Sequence, residues 1–139
     1  MSMVADYASF TDARDHLKDV LDAAARGRVV TVARGRELSA VVQADRLREH
    51  LARTVSPDVR IAAEEGRVIA LMEGRPFASE GASVEDALAD LVLSLREYAE
   101  DWEERLQRAP NHAGAWALVQ LVRLSEDAQL LEWFERGGE

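Results

Sequence analysis

The chain has 139 residues, of which 47% are apolar and 31% charged, and its net charge is −9. This length suits one domain or two small ones, and the composition supports a hydrophobic core and argues against wholesale disorder. The absence of cysteine excludes disulfides and thiolate metal sites, and no apolar run is long enough for a transmembrane helix. Because the first residues lack the form of a signal peptide, we expect a cytoplasmic protein with no membrane contact.

The charge is divided unevenly along the chain. Residues 1–53 contain nine Lys and Arg against eight Asp and Glu, whereas residues 54–139 contain eight against eighteen. A split of this kind suggests two tasks. The near-neutral half could contact an anion, and the acidic half would repel nucleic acid and attract a basic partner.

The chain is predicted to begin with a short strand, residues 3–8, followed by a helix. Thr11 is the predicted N-cap of this helix, and Gly27 lies just beyond its end. Apolar residues recur between them at helical spacing and form one stripe, comprising Ala13, Leu17, Val20, Leu21 and Ala24.

Arg14 is unusual in the first turn, because a cation there opposes the helix dipole. The positions three and four residues away carry no carboxylate that could pair with it. An unpaired arginine beside free helix N–H groups is suited to a phosphate oxygen. The alternative is an arginine that is solvated or paired with another element.

Residues 27–43 are predicted to form a β-hairpin. Val30 and Val32 belong to a β-branched run, and Gly35 supplies the positive φ that a tight turn requires. Apolar residues occupy both faces, with Val30 and Val32 on one and Val29 and Val41 on the other. Burying both faces favours a dimer. Arginines gather near the two ends of the hairpin, at positions 26, 28, 34 and 36.

A second helix is predicted over residues 44–53, and the break at Val55–Asp58 is the expected domain boundary. We therefore expect one domain over residues 1–55 and an acidic domain over residues 56–139.

The second domain is predicted to begin with a hairpin, strands 59–63 and 67–72, and a loop over residues 74–81. Ser83 then caps the longest helix, whose apolar stripe continues to Leu106. An acidic patch lies towards its end, formed by Glu97, Glu100, Asp101, Glu103 and Glu104.

Two shorter helices are predicted to close the chain. Residues 115–124 are apolar on every side, so periodicity does not separate a helix from a buried strand, and their Ala, Leu and Gln content favours a helix. Ser125 is the predicted cap of a last helix that ends at Phe134. The expected fold class is α+β, with a strand-helix-hairpin-helix unit followed by a hairpin and helices.

The sequence offers little for catalysis. His16, His50 and His112 are far apart and match no metal-ligand spacing, and no nucleophile elbow, phosphate loop or dinucleotide fingerprint occurs. We expect no enzyme, no metal and no cofactor. Nucleic-acid binding is better supported, because five arginines, at positions 14, 26, 28, 34 and 36, lie within 23 residues. In a dimer their number doubles, and they could supply several phosphate contacts.

The first half resembles the Phd/YefM antitoxins of type II toxin–antitoxin systems. The resemblance covers residues 3–53 and rests on the segments Phe10-Thr-Asp-Ala-Arg14, Val30-Thr-Val-Ala-Arg34-Gly and Ala40-Val-Val-Gln-Ala-Asp-Arg-Leu47. It implies a homodimer, or a higher oligomer, that binds operator DNA and represses its own operon. The implied DNA contacts are Thr11, Arg14, Arg34 and Arg36. The implied dimer interface is Leu17, Leu21, Val30 and Val32.

The second half is similar to HicB-like antitoxin domains and to RelB-type antitoxins. The similarity rests on Glu80-Gly-Ala-Ser-Val-Glu-Asp-Ala-Leu88 and Leu95-Arg-Glu-Tyr-Ala-Glu-Asp-Trp102. It implies that this region neutralises a toxin, and a basic RelE-type ribonuclease would complement its acidic charge. The expected toxin contacts are Tyr98, Trp102, Trp116 and Trp133.

A second interpretation remains open. Phd-type tails are commonly short and disordered when free, whereas residues 59–136 look able to fold. The chain could therefore be a stand-alone transcription regulator whose second half binds a ligand or a partner protein.

Overall fold

The computed structural model describes residues 5–136, which form an α+β fold. Its contacts divide the chain into two compact units, residues up to Leu47 and residues from Arg48 onward. The sequence places the boundary at 55/56, whereas this division falls inside a helix, α3, whose later residue Leu51 is buried. None of the helices within residues 5–136 is long and apolar enough to cross a membrane.

The single helix predicted at the start is two helices, α1 (Phe10–Asp15) and α2 (Leu17–Ala25), which are interrupted at His16. The backbone N–H of His16 donates to the Ala13 carbonyl, and its ring Nδ1 donates to the Asp12 carbonyl at 2.9 Å. In an uninterrupted helix the Asp12 carbonyl would accept from the backbone N–H of His16. The side chain of His16 therefore competes with the backbone for this acceptor.

Strands β1 (Val30–Arg34) and β2 (Glu37–Val41) form the predicted antiparallel hairpin, with Val30 opposite Val41 and Arg34 opposite Glu37. Gly35 has a φ of 60° in the two-residue turn, as a primed hairpin turn requires. Residues directly opposite each other share a face, so Val30, Val32 and Val41 lie on the same face, and the prediction that put Val41 on the other face was wrong.

The core of this unit is formed where α2 packs on the hairpin, with Val20, Ala23 and Val30 buried and Tyr7 and Val41 packed beside them. The predicted opening strand is reduced to one parallel bridge in the described residues, between Tyr7 and Val32. Residues 3 and 4 of that prediction lie outside the described residues.

The next helix, α3, extends over Ala44–Thr54, close to its predicted bounds. Beyond it, strands β3 (Val59–Glu64) and β4 (Arg67–Met72) form the second predicted hairpin. A third strand, β5 (Ala78–Gly81), pairs with β4 where the sequence predicted only a loop. The sheet is antiparallel with the order β3-β4-β5.

Helix α4 (Val84–Asp101) packs against β4 and β5. The Ser83 side chain accepts a hydrogen bond from the N–H of Asp86 at 3.1 Å, which confirms the predicted cap. A Cβ on Gly81 would meet the backbone N of Ala87 at 2.6 Å, so only glycine allows the sheet to approach the first turn of α4 so closely. The helical path predicted to Leu106 continues beyond Asp101 as a π-helical turn, Trp102–Leu106.

Helices α5 (Trp116–Leu124) and α6 (Asp127–Arg136) complete the second unit, and a short 3-10 turn, Ala113–Ala115, precedes them. The preference for a helix over residues 115–124 is confirmed. The prediction that Ser125 caps the last helix was wrong, because its buried hydroxyl donates to the Leu121 carbonyl at 2.6 Å. The Gln129 side chain instead accepts from the N–H of Glu126 at 2.8 Å and thereby caps α6.

Two long-range contacts hold the last helix in place. The guanidinium of Arg96 donates to the carbonyls of Val122 and Ser125 and pairs with Asp127 at 2.7 Å. The indole N–H of Trp133 donates to the Val55 carbonyl at 2.9 Å and so connects α6 with the segment after α3.

Candidate functional site

The first turn of α1 is exposed to solvent. The side chain of Ser9 accepts from the N–H of Asp12 at 3.1 Å, so Ser9 is the N-cap and the prediction of Thr11 was wrong. Thr11 is consequently an exposed residue of the first turn, with its hydroxyl free from the capping role.

Arg14 and Arg34 come together over the ring of Phe10. Their guanidinium carbons lie 5.9 Å and 5.8 Å from the ring centroid, one arriving from α1 and the other from the end of β1. Phe10 is 55% exposed, so both cations stand on an aromatic platform that faces solvent. Arg36 lies in the adjacent turn and is also exposed. We call these four residues, Phe10, Arg14, Arg34 and Arg36, the arginine tip.

The arginines of the tip differ in their ion pairs. The Nε of Arg14 lies 3.5 Å from a carboxylate oxygen of Asp15, so Arg14 is not the unpaired cation that the helical spacing suggests. Both side chains are more than half exposed, and such a pair contributes only about 0–1 kcal/mol, so it can open for an anion. Arg34 and Arg36 form no ion pair with any residue between 5 and 136.

Arg28 serves the fold instead. It pairs with Asp6, whose carboxylate also accepts from the N–H of Thr31 at 2.9 Å and the hydroxyl of Thr31 at 3.1 Å. The Thr31 backbone hydrogen bond contributes most to holding the pKa of Asp6 below 3.8, with further support from the Thr31 hydroxyl and the Arg28 charge. Sequence reasoning missed this ion pair, because nothing in the spacing of residues 6 and 28 links them.

The predicted dimer residues divide between surface and core. Leu17 and Leu21 are 53% and 54% exposed, which leaves two large apolar side chains without a covering partner in the described chain. Val32 is half-buried. Val30 is only 1% exposed and packs in the core of its own unit, so its side chain has no surface to offer a second copy.

The predicted toxin contacts divide in the same way. Trp102 and Trp133 are buried, and the indole N–H of Trp102 donates to the His112 carbonyl at 3.0 Å, so both side chains support the fold. Trp116 is 50% exposed at the start of α5. The half-buried Tyr98 has its hydroxyl 2.8 Å from Nδ1 of His112, and burial raises its pKa.

Tyr98 also lines a cleft of about 640 Å³ in the C-terminal unit. Phe77 packs edge-on against Tyr98 with ring centroids 5.1 Å apart, and His112 completes an aromatic wall. Arg75, which donates to the Ser56 carbonyl at 2.7 Å, lies at the same cleft. The cleft therefore combines aromatic surface with polar groups, as binding clefts generally do.

One face of α4 and its π-helical continuation is acidic. Asp101 pairs with Arg105 at 3.3 Å, and Glu103 pairs with Arg123 at 2.9 Å. Three further exposed glutamates recur at helical spacing and have no basic partner in the part of the chain that the structure describes, namely Glu97, Glu100 and Glu104. These three residues form the acidic stripe.

Similarity to known proteins shows which family the chain belongs to. A family model described as PHD_like, an antitoxin of the RelE/RelB toxin–antitoxin system, matches residues 3–134. The chain belongs to this antitoxin family. Because the match includes both units, one family accounts for both halves of the antitoxin, and membership implies a cognate toxin as partner.

The fold of the antitoxin is also similar to a crystal structure of an antitoxin part of a proposed toxin/antitoxin system from Syntrophomonas wolfei subsp. wolfei. The two share 20% sequence identity with a TM-score of 0.78, over 92% of this chain and 95% of that one. No curated protein matches the antitoxin in sequence.

Proposed function

We propose that this antitoxin represses its own operon by binding operator DNA as a dimer, and that its C-terminal unit neutralises the cognate toxin. The convergence of Arg14 and Arg34 on Phe10 is the observation that carries the DNA-binding part. It brings together two cations that are far apart in sequence, and the aromatic ring restricts both side chains before any ligand is bound.

The proposed DNA contacts are Thr11, Arg14, Arg34 and Arg36. The guanidinium groups donate to phosphate oxygens, and the hydroxyl of Thr11 lies in the same exposed turn as Arg14. The net charge of the whole chain is −9 and opposes DNA, so binding depends on this local concentration of positive charge.

The proposed dimer forms through the exposed side chains of Leu17 and Leu21, together with the half-buried Val32. Fully burying an exposed leucine is worth about 1.5–3 kcal/mol, and because Leu17 and Leu21 are already half covered, each can contribute roughly half of that. Each chain contributes both residues. A two-fold dimer presents two arginine tips, which suits an operator with two half-sites.

The proposed toxin contacts are Trp116 and the cleft at Tyr98, together with the acidic stripe. Exposed aromatic residues commonly dominate binding energy, and the unpaired glutamates complement a basic partner such as a RelE-type ribonuclease. Trp102 and Trp133 donate their indole N–H groups to the carbonyls of His112 and Val55, and these two acceptor residues line the cleft.

Operator binding is tested with a labelled duplex from the region upstream of the antitoxin's own reading frame. Arg14→Ala and Arg34→Ala each weaken binding by about tenfold or more, because a charge-assisted hydrogen bond contributes about 1.5–3 kcal/mol. Arg26→Ala is the matched control, since Arg26 is exposed in the same unit but lies before the hairpin, away from its turn. Undiminished affinity in folded, dimeric Arg14→Ala and Arg34→Ala proteins would contradict the proposal.

Toxin binding is tested by co-expression with the product of the adjacent open reading frame. The antitoxin is expected to co-purify with that product and to restore growth. Trp116→Ala is expected to weaken the complex. Leu93→Ala is the control, since it removes another exposed apolar side chain of this unit, and it should leave the complex unchanged. If no neighbouring product binds while operator binding persists, the stand-alone regulator is the better interpretation.

A further inference from the structure

Strand β3 is an edge of the three-stranded sheet with an uncovered outer side. Its residues from Arg60 to Glu64 are all exposed, and its pairing partner is β4. Because Glu64 and Arg67 flank a two-residue turn, they form a hydrogen-bonded pair, and the alternate residues Ile61 and Ala63 direct their N–H and C=O groups away from β4. Within residues 5–136 no hydrogen-bond partner reaches these outward groups.

The apolar face of β3 extends beyond the helix that covers the rest of the sheet. Ile61 lies opposite Ala70, so the two side chains share one face. Ala70 is fully buried where α4 packs against β4 and β5, whereas Ile61 is 46% exposed. An open edge strand with an uncovered apolar residue is a template for pairing with another strand.

The charges of β3 select the partner. We propose that β3 pairs antiparallel with β3 of a second copy of this chain, around a two-fold axis at Ala62. Arg60 pairs with Glu73 of its own chain at 2.7 Å, but both side chains are more than half exposed, so this pair contributes little and leaves the guanidinium open to a second carboxylate. In this register Arg60 lies opposite Glu64 of the second copy, and the symmetry repeats that ion pair on the other side. Ile61 lies opposite Ala63 of the second copy, and each such pair exchanges two backbone hydrogen bonds.

Neighbouring registers are less favourable. An axis at Ile61 puts Glu64 opposite Asp58 of the second copy, and like charges directly opposite destabilise a sheet. An axis at Ala63 puts Glu64 opposite Ala62 and leaves both ion pairs unmade. All three registers satisfy the outward backbone groups, because each pairs Ile61 or Ala63 with another outward-facing residue. Only the axis at Ala62 also places Arg60 opposite Glu64.

The joined strands form a continuous six-stranded sheet with two α4 helices on the same face. Ile61 and Ala63 of both copies then lie on the sheet surface between these two helices. This position explains why β3 carries apolar residues that α4 of a single chain does not cover. This contact does not involve Leu17 or Leu21. It therefore stands independently of the proposed DNA-binding dimer, and both contacts together would link dimers into larger assemblies.

Disulfide trapping in the full-length chain tests the axis directly, because the natural sequence has no cysteine. The Cα atoms of directly opposite residues that are not hydrogen-bonded lie about 4.5 Å apart, within the range of a disulfide. Ala62→Cys is expected to form a covalent dimer on mild oxidation, at least fivefold faster than Ile61→Cys or Ala63→Cys. Equal or faster trapping at either control position, or no trapping at position 62, would overturn the proposal.

Charge reversal on the Ala62→Cys background tests the pairing of Arg60 with Glu64. Arg60→Glu or Glu64→Arg alone slows trapping about fivefold or more, since each creates like charges on both sides of the axis. The double reversal restores the rate to within about twofold, whereas Arg105→Glu, a reversal outside the sheet, leaves it unchanged. Failure of the double variant to recover would refute the register.

A final variant separates this contact from the proposed N-terminal dimer. With Leu17→Asp and Leu21→Asp introduced, the disulfide of the Ala62→Cys variant still forms, even where operator binding is lost. Trapping that disappears with these substitutions would overturn independent pairing. The β3 amides could instead become protected from hydrogen exchange only after toxin is added, while no disulfide forms at position 62. That result would show that the toxin binds this edge and would refute self-pairing.

Discussion

Replacing Arg34 by alanine should change how operator binding responds to salt. If Arg14, Arg34 and Arg36 each neutralise one phosphate in both copies of a dimer, about six phosphates release their counterions. The logarithm of the binding constant then falls with the logarithm of salt concentration with a slope of about −5.4. Arg34→Ala removes one contact per copy, and the expected slope is about −3.6.

These slopes translate into a change that is easily measured. Between 50 and 200 mM salt, the natural chain loses affinity by about 1,800-fold and the Arg34→Ala variant by about 150-fold. The defect of the variant is therefore about twelvefold larger at the lower salt concentration. Fluorescence anisotropy with a labelled operator duplex, recorded at five or more salt concentrations, gives both slopes.

Phe10→Ala separates the aromatic platform from the charge. It removes the ring beneath Arg14 and Arg34 but no cation, so the slope stays at its original value while affinity falls by a similar factor at every salt concentration. Arg26→Ala is expected to leave the slope unchanged. An unaltered slope in Arg34→Ala, or an equal change in Arg26→Ala, would refute the arginine tip as the contact surface.

Three further predictions concern stability. Gly81→Ala should lower the free energy of unfolding of the C-terminal unit by about 1–3 kcal/mol, because the added Cβ would meet the backbone of Ala87. An unchanged midpoint of urea unfolding would contradict this close approach. Ser83→Ala should cost about 1 kcal/mol through loss of the α4 cap, and Ser83→Asp should retain most of the stability. Hydrogen bonding to the Asp12 carbonyl raises the pKa of His16 above 6.5, so its stabilising contribution is present below pH 6.5 and is lost as the pH rises through the folded pKa. An NMR titration of His16 with a midpoint at or below 6.5 would contradict this.

Local sequence signals predicted the regular elements well where the cause is local. The apolar periodicity and Ser83 define the start of α4, and the turn residues locate both hairpins. Strand β5 was missed because Ala78–Gly81 contains no β-branched residue, and its conformation depends on pairing with β4. The break at His16 was missed because one side-chain hydrogen bond to the backbone produces it, without a change in the apolar pattern.

The candidate site was only partly predictable for a related reason. The sequence identified Arg14 and Arg34 separately, from their places at a helix start and a hairpin turn. That they meet over Phe10 depends on how α1 lies against β1, which no spacing encodes. Likewise, the sequence predicts Val30 to be a dimer-interface residue. In the structure Val30 lies in the core of its own unit, because α2 covers that face of the hairpin.

The hydrogen bond between Trp133 and Val55 has a consequence for biosynthesis. It joins the last described helix to the beginning of the C-terminal unit, so this unit cannot be completed until nearly all of its residues have left the ribosome. The residues up to Leu47 group into a compact unit of their own. At ordinary elongation rates, synthesis of residues 48–139 takes roughly 5–20 s. During that interval we expect a nascent chain with its N-terminal unit formed and its C-terminal unit still open to proteases.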